Sequence, residues 1–268
     1  MNSQIREFFR TGGAEMPHFY EVRFLQEEPD TNWDGVGKLG LPRGWFELSR
    51  IAQTDRVEFL FDFWMGVLPY HPIATEAIRD FFSELDDVAV VMSRQSKEEP
   101  WRSELVYSLR DNSSFFRGLP PAKEAHLPAV WRELGQELPR DFQAFLHLHN
   151  GFGKLTELGL LPIEELPRER RRIIEQIVRQ DKPLRSGDTL VDPHYLYPFY
   201  EDYGGGAQCF SAEWYPGSEM GNVYFSGIDY TVSDTSMQSG WSEQMAYATF
   251  LEWLGGFLGG MSRMPECT

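Results

Sequence analysis

The chain has 268 residues, a formal net charge of −16 and a sequence pI near 4.8. A field of that sign repels phosphate backbones, which speaks against nucleic-acid binding, and it favours a basic partner. With 41% hydrophobic and 15% aromatic residues, the chain can bury a core as one large domain or two small ones and is not a disordered polymer.

Residues 1–13 read as a short amphipathic helix or a loose arm, and residues 18–26 alternate toward a strand. Residues 27–43, rich in Asp, Gly and Pro, mark a loop. Residues 45–53 and 56–64 read as two strands around a hairpin tip at Thr54-Asp55, with Val57, Phe59, Phe61 and Phe63 on one face. Pro72 can open a helix at its first turn, whose apolar stripe is Ile73, Ala77, Ile78, Phe81, Phe82 and Leu85. Residues 88–92 and 105–109 look like strands again. The first half is thus expected to be a small α+β unit ordered β-β-β-α-β-β. Residues 112–125, with Ser113-Ser114 and Gly118-Leu119-Pro120-Pro121, carry the candidate boundary between units at 1–118 and 119–264.

The second half opens on a helix with Leu127, Val130, Trp131, Leu134 and Leu138 at helical spacing, and Pro139 starts the next, with Phe142, Phe145 and Leu146 inside. Asn150-Gly151 stops that helix, since both types tolerate the left-handed conformation. A strand is expected over 154–160. An amphipathic helix is expected over 163–180, with Ile173, Ile174, Ile177 and Val178 inside and the arginines of 168–172 as a solvated face. Residues 195–199, 207–212 and 222–228 read as short aromatic-rich strands. Residues 243–258 form a closing helix, with Met245, Ala248, Phe250, Leu251 and Leu254 available for burial.

This order of elements carries particular residues at its joints. Leu138-Pro139-Arg140-Asp141-Phe142, Phe145-Leu146 and Asn150-Gly151 come first. Leu160 to Leu166, the Gly204-Gly205-Gly206 run between two strands, Gly221 to Phe225, and Ala248 to Leu254 follow. Together these blocks resemble the SUKH superfamily over about half the chain. The resemblance implies a SUKH-like mixed α/β sheet domain with a concave binding face, preceded by a smaller α+β N-terminal unit. It also implies a non-enzymatic protein-binding role, because the family includes bacterial immunity proteins and a yeast cell-wall signalling regulator and is not known for catalysis by the domain itself. The chain departs from the family at residues 226–230, where a Trp-Asp-His-Glu run is usual, and at Ala207, where an acid is usual.

Candidate chemistry is sparse. His147 and His149 stand at i, i+2, so they face different sides of a helix and cannot share a metal. Gly204-Gly205-Gly206 precedes a strand and has no Lys, so it reads as a turn and not a phosphate loop. Ser211 and Ser226 lack a nucleophile-elbow context, and nothing fixes Glu201, Asp202 and Glu213 as paired acid and base. Cys209 lies in a predicted strand, and Cys209 with Cys267 makes neither a disulfide framework nor a zinc pattern, which fits a reducing compartment. No signal-peptide run occurs in residues 1–13, and the apolar stretch 59–68 is broken by Asp62 and too short for a bilayer. These features point to a cytoplasmic protein with no membrane association, no cofactor and no metal.

Binding is the better reading. Residues 195–230 hold eleven aromatic side chains, with acids and no Lys or Arg, more than a small sheet can bury. Tyr203, Trp214 and Tyr215, all in expected turns, are taken as exposed anchors, and Glu201, Asp202 and Glu213 as the steering charges. The leading expectation is an immunity protein that occludes a basic toxin, such as a nuclease. The alternative is a regulatory scaffold or chaperone-like adaptor with a second partner on the N-terminal unit.

Overall fold

The computed structural model describes residues 3–12, 18–111, 114–154, 159–180, 182–235 and 245–260. Helix α1 (Ser3–Thr11) and strand β1 (Glu21–Phe24) precede four helices, α2 (Trp33–Val36), α3 (Arg43–Leu48), α4 (Gln53–Val67) and α5 (Pro72–Ser83). A meander follows, β2 (Leu85–Arg94), β3 (Arg102–Leu109) and β4 (Phe115–Gly118), then α6 (Leu127–Leu134) and α7 (Arg140–Leu146). Two short strands, β5 (Phe152–Lys154) and β6 (Gly159–Leu160), lead to α8 (Leu166–Arg179) and the hairpin β7 (Arg185–Ser186) and β8 (Thr189–Leu190). Strands β9 (Leu196–Glu201), β10 (Ala207–Ser211), β11 (Asn222–Ser226) and β12 (Thr231–Val232) and the closing α9 (Phe250–Gly260) complete an α+β fold.

All described strands join one sheet in the order β1-β2-β3-β4-β5-β6-β9-β10-β11-β12-β7-β8. Every pairing is antiparallel except β12 with β7. β4 pairs with β3 on one side and with β5 on the other, so the sheet runs without a break across Gly118.

Alternation along β2 shows how the sheet is covered. Val88, Val90 and Met92 join the large core built by α4, α5, α7 and α9, with Trp64, Phe81, Phe145 and Phe250 at its centre. Ala89 and Val91 face the other way, under Ile5, Phe8 and Phe9 of α1. Further along that second face, α8 lays Ile173 and Ile177 over Ala207, Cys209, Val223 and Phe225.

The expected strands at 45–53 and 56–64 are not formed: α3 ends at Leu48, a turn follows, and α4 runs from Gln53 to Val67. Arg56, Leu60 and Trp64 are buried at four-residue spacing, with Val57 and Phe61 packed beside them, whereas Phe59 and Phe63 are exposed. The run is apolar at so many positions that both periods fit it, and its length of 15 residues belongs to a helix. Asp55, taken as part of a hairpin tip, sits in the first helical turn, where a carboxylate suits the helix dipole. Arg56 turns inward because Asp87 on β2 waits there: Nε and Nη2 donate to its Oδ1 at 3.1 and 2.7 Å, and Nη1 donates to the Ile51 carbonyl.

Smaller corrections have similar causes. Val178 is exposed, since α8 buries only the stripe containing Ile173 and Ile177. The closing helix starts at Phe250; Met245 precedes it, at positive φ and exposed, and Glu243 lies outside the described residues. The strand expected over 154–160 resolves into β5 and β6 on either side of undescribed residues 155–158.

One hydrogen-bonded line crosses the core. Trp64 Nε1 donates to Tyr107 Oη at 3.3 Å, Tyr107 Oη lies 2.7 Å from His149 Nε2, and His149 Nδ1 lies 2.9 Å from the Leu119 carbonyl. A carbonyl only accepts, so Nδ1 carries the proton and Nε2 accepts from the tyrosine. The His149 ring rests against Gly118, where an added Cβ would collide with it. Burial pushes the imidazole pKa down to about 4 from 6.5, against the bond to Leu119. The folded state therefore refuses a proton that the unfolded chain accepts below about pH 6.5. Stability is full above that value and falls as pH drops toward 4, by on the order of 3 kcal/mol from this group. Urea denaturation at pH 7, 5.5 and 4.5 checks this: the decline is expected to shrink in His149→Gln, and an unchanged decline would assign it to other groups.

Candidate partner-binding cleft

Among the described residues, helices cover the second face of the sheet only toward its ends, under α1 and under α8. The strands between them leave a hollow. On β3, Arg102 and Glu104 share the side of Val106, which lies in the α1 cluster, but they extend beyond that helix. Arg117 on β4 sits beside them, its guanidinium 4.7 Å from the Phe8 ring. On β9, Glu201 pairs with Gly159 while Tyr200 and Leu160 turn to the large core, which aims Glu201 into the hollow. The result is a cleft of about 680 Å³, floored by Glu104, Arg117 and Gly153 and walled by Glu165, Arg168, Glu169 and Arg172. Tyr203 stands at its rim. A hollow of about 330 Å³ continues past Arg102 and Arg117 toward Arg94 and Pro100.

The charges are layered. Glu104 is buried, held by Arg102 Nε at 2.8 Å and by Arg117 Nη1 at 3.4 Å. Glu169 accepts from Arg168 Nε at 2.9 Å and Arg172 Nε at 2.6 Å, and Arg172 also pairs with Glu201. Burial raises the Glu169 carboxyl, but the two arginines outweigh it and leave it below the ordinary range. Glu201 goes the other way: burial raises it, Arg172 offsets only part, and the nearby Glu169 and Asp202 add to the rise.

The six expected partner-binding residues fall into two groups. Glu201, Asp202 and Tyr203 form the β9–β10 turn beside the cleft, whereas Glu213, Trp214 and Tyr215 follow β10 at its other end. Five residues of strand separate them, a span of ~17 Å. Tyr203 and Tyr215 are exposed, as is Glu213. Trp214 is half-buried instead of exposed, because it packs on the α8-side core and stacks over Gly221, where a Cβ would strike its ring. Asp202 is engaged within the chain: Oδ1 accepts from the Gly206 amide at 2.8 Å and Oδ2 from Tyr224 Oη at 2.6 Å. That explains the glycines: Gly205 takes φ +74°, and a Cβ at Gly206 would meet the Tyr224 hydroxyl. With Glu201 held by Arg172, two of the three expected steering carboxylates are already committed.

Other joint residues are structural. Asp141 accepts from the Leu251 amide at 3.1 Å and the Phe142 amide at 2.9 Å, which caps the start of α9. Asn150 Oδ1 accepts from the Ile163 amide, and its Nδ2 donates to Glu164, both at 2.7 Å. His147 is exposed while His149 is buried. Among the described residues no three His, Cys, Asp or Glu side chains converge as metal ligands would, and no helix is long and apolar enough to cross a membrane. The sequence reading missed Arg102, Glu104 and Arg117. For Arg102 and Glu104 the available signal was a pair of charges at alternate positions of a strand that continues as Leu105-Val106-Tyr107.

The sequence profile described as SMI1 / KNR4 family (SUKH-1) matches residues 121–256. No curated protein sequence matches the chain. The layered charges give a stability test. Glu104→Gln leaves Arg117 with no carboxylate in a site where its side chain is only 16% exposed, and is expected to cost ~2 kcal/mol or more in urea denaturation. Arg102→Gln leaves the buried Glu104 with Arg117 still beside it and is expected to cost less than Glu104→Gln. Equal losses would contradict the layering.

Proposed function

Because the chain belongs to the SMI1 / KNR4 family (SUKH-1), an immunity-protein-like domain that is generally non-catalytic, we propose that this protein binds another protein over the uncovered middle of its sheet and neutralises it by occlusion. The observation that carries this reading is the cleft of about 680 Å³ on that face. It is concave, bordered by an exposed tyrosine, and lined by charges that pair with one another and are not arranged around a nucleophile and base. Interfaces of this kind gain their energy from a few aromatic and arginine anchors, and Tyr203, Arg102 and Arg168 have the exposure to serve.

The partner proposed is a toxin whose surface is largely basic, a nuclease being the natural case. The −16 charge of the chain attracts such a protein from a distance, and Tyr215 and Glu213 supply a second contact group at the far end of β10. The free, buried Cys209 accords with action in a reducing cytoplasm. A second reading, a regulatory adaptor, draws on α4, outside the matched residues. There the rings of Phe59 and Phe63 stack at 6.5 Å and remain exposed, 55% and 43%, with Asp55, Glu58 and Asp62 beside them.

Affinity capture with the tagged protein, repeated at raised salt and with Tyr203→Ser, tests the proposal. One stoichiometric basic partner is expected, weakened at least ~10-fold by the substitution and weakened by salt as charges are screened. Retention by Tyr203→Ser together with loss in Phe59→Ser/Phe63→Ser would favour the adaptor.

A further inference from the structure

In the ion pairs that Arg102, Arg168 and Arg172 make in the cleft the carboxylate lies beneath and the arginine above, whereas Arg117 lies in the floor beside Glu104. The Arg102 side chain is 53% exposed over Glu104 at 2%. Arg168 is 67% exposed over Glu169 at 8%. Arg172 is 43% exposed over Glu169 at 8% and Glu201 at 15%. The pair of Arg168 with Glu165 repeats the order less steeply, 67% to 43%. Lys154 lines the same space. A charge facing water or a ligand acts there, while a buried carboxylate is spent on holding its arginine in place. What the cleft offers an incoming group is therefore a row of guanidinium donors on a chain that is acidic as a whole.

From this layering we infer that the cleft receives an acidic peptide segment of the partner, with one or more Glu or Asp carboxylates set against Arg102, Arg168 and Arg172. This rests on the reading of the cleft as the partner site and narrows its chemistry. Guanidinium groups on side chains that stay 53%, 67% and 43% exposed suit a carboxylate fork, and Glu104, Glu169 and Glu201 already hold these arginines in place. Leu119, Leu161 and Pro162 border the same space and give apolar side chains of a peptide somewhere to lie. A nucleic acid would also present anions, but it brings a continuous charge. Among the described residues the cleft is lined by five cations, Arg102, Arg117, Lys154, Arg168 and Arg172, and four carboxylates, Glu104, Glu165, Glu169 and Glu201. That local balance suits a few carboxylates and not a phosphate backbone, which the −16 chain repels besides. The long-range field is thus negative while the exposed layer of the cleft is cationic, so a partner that is basic overall would enter through an acidic loop or tail.

The test measures binding of three fluorescent probes by anisotropy, at an ionic strength where the Debye length is about 8 Å. They are a peptide of alternating Leu and Glu, the same peptide with Gln for Glu, and a single-stranded DNA oligonucleotide. The Glu peptide is expected to bind at least ~10-fold tighter than the other two, and to lose that advantage in Arg102→Gln/Arg168→Gln, whose fold is checked by circular dichroism. Should that double variant misfold, Lys154→Gln is expected to weaken the Glu peptide several-fold while sparing the Gln peptide. Equal binding of the Glu and Gln peptides, or no effect of the substitutions, overturns the inference. DNA binding tighter than the Glu peptide overturns it in favour of a nucleic-acid site. If the Glu peptide fails while a captured protein partner still depends on Tyr203, the cleft remains the partner site and only the acidic assignment falls.

Discussion

A buried line of hydrogen bonds, from Trp64 through Tyr107 and His149 to the Leu119 carbonyl, is the constraint on which this architecture hangs. Each member comes from a different element: α4, β3, the turn after α7, and the segment that leaves β4. None can move alone without leaving a polar group unpaired among Phe81, Phe145 and Phe152, where an unmade bond costs about 1–3 kcal/mol. The line fixes where α4 lies on the sheet and holds the His149 ring on Gly118, next to the seam where β4 passes the sheet on to β5. It thereby joins the N-terminal helices to the segment matched by the family profile through one shared core.

That seam decides the proposed binding surface. The large core takes the bulk of the aromatic side chains on one face, so the opposite face needs cover only where apolar residues emerge. α1 covers Ala89, Val91 and Val106, and α8 covers Ala207, Cys209 and Phe225. Between them the second-face positions are Arg102, Glu104, Arg117, Gly153, Gly159 and Glu201, which are charged or lack a side chain. No helix gains by lying on such a floor, and a cleft follows. The paired charges also sort themselves, since a long guanidinium can keep its head in water while its partner carboxylate cannot.

Much of the second half could be read from the sequence because its joints carry residues with single physical uses. Pro139 opens a helix and Gly204-Gly205-Gly206 turns between strands, whereas that helix already ends at Leu146, and Asn150, expected to stop it, instead accepts from the Ile163 amide. The first half was harder for a physical reason. In the run 56–64 apolar residues occupy so many positions that alternation and helical spacing coexist, and the deciding partner, Asp87, lies 31 residues away from Arg56. The site was half legible. Tyr203 could be placed at an exposed turn, but the engagement of Asp202 by Tyr224, of Glu201 by Arg172 and of Trp214 by Gly221 depends on tertiary neighbours that spacing does not reveal. Arg102, Glu104 and Arg117 reach the cleft only through strand pairing across the two halves, so no reading confined to residues 119–264 would find them.

On the proposed function a protein partner occupies the uncovered middle of the sheet. Hydrogen–deuterium exchange of the protein alone and with its captured partner tests this most directly. New protection is expected in β5, β6, the first turns of α8 and the β9–β10 turn, with α4 unchanged. Protection confined to α4, or to the loop around Tyr215, with the cleft amides exchanging as before, would contradict it.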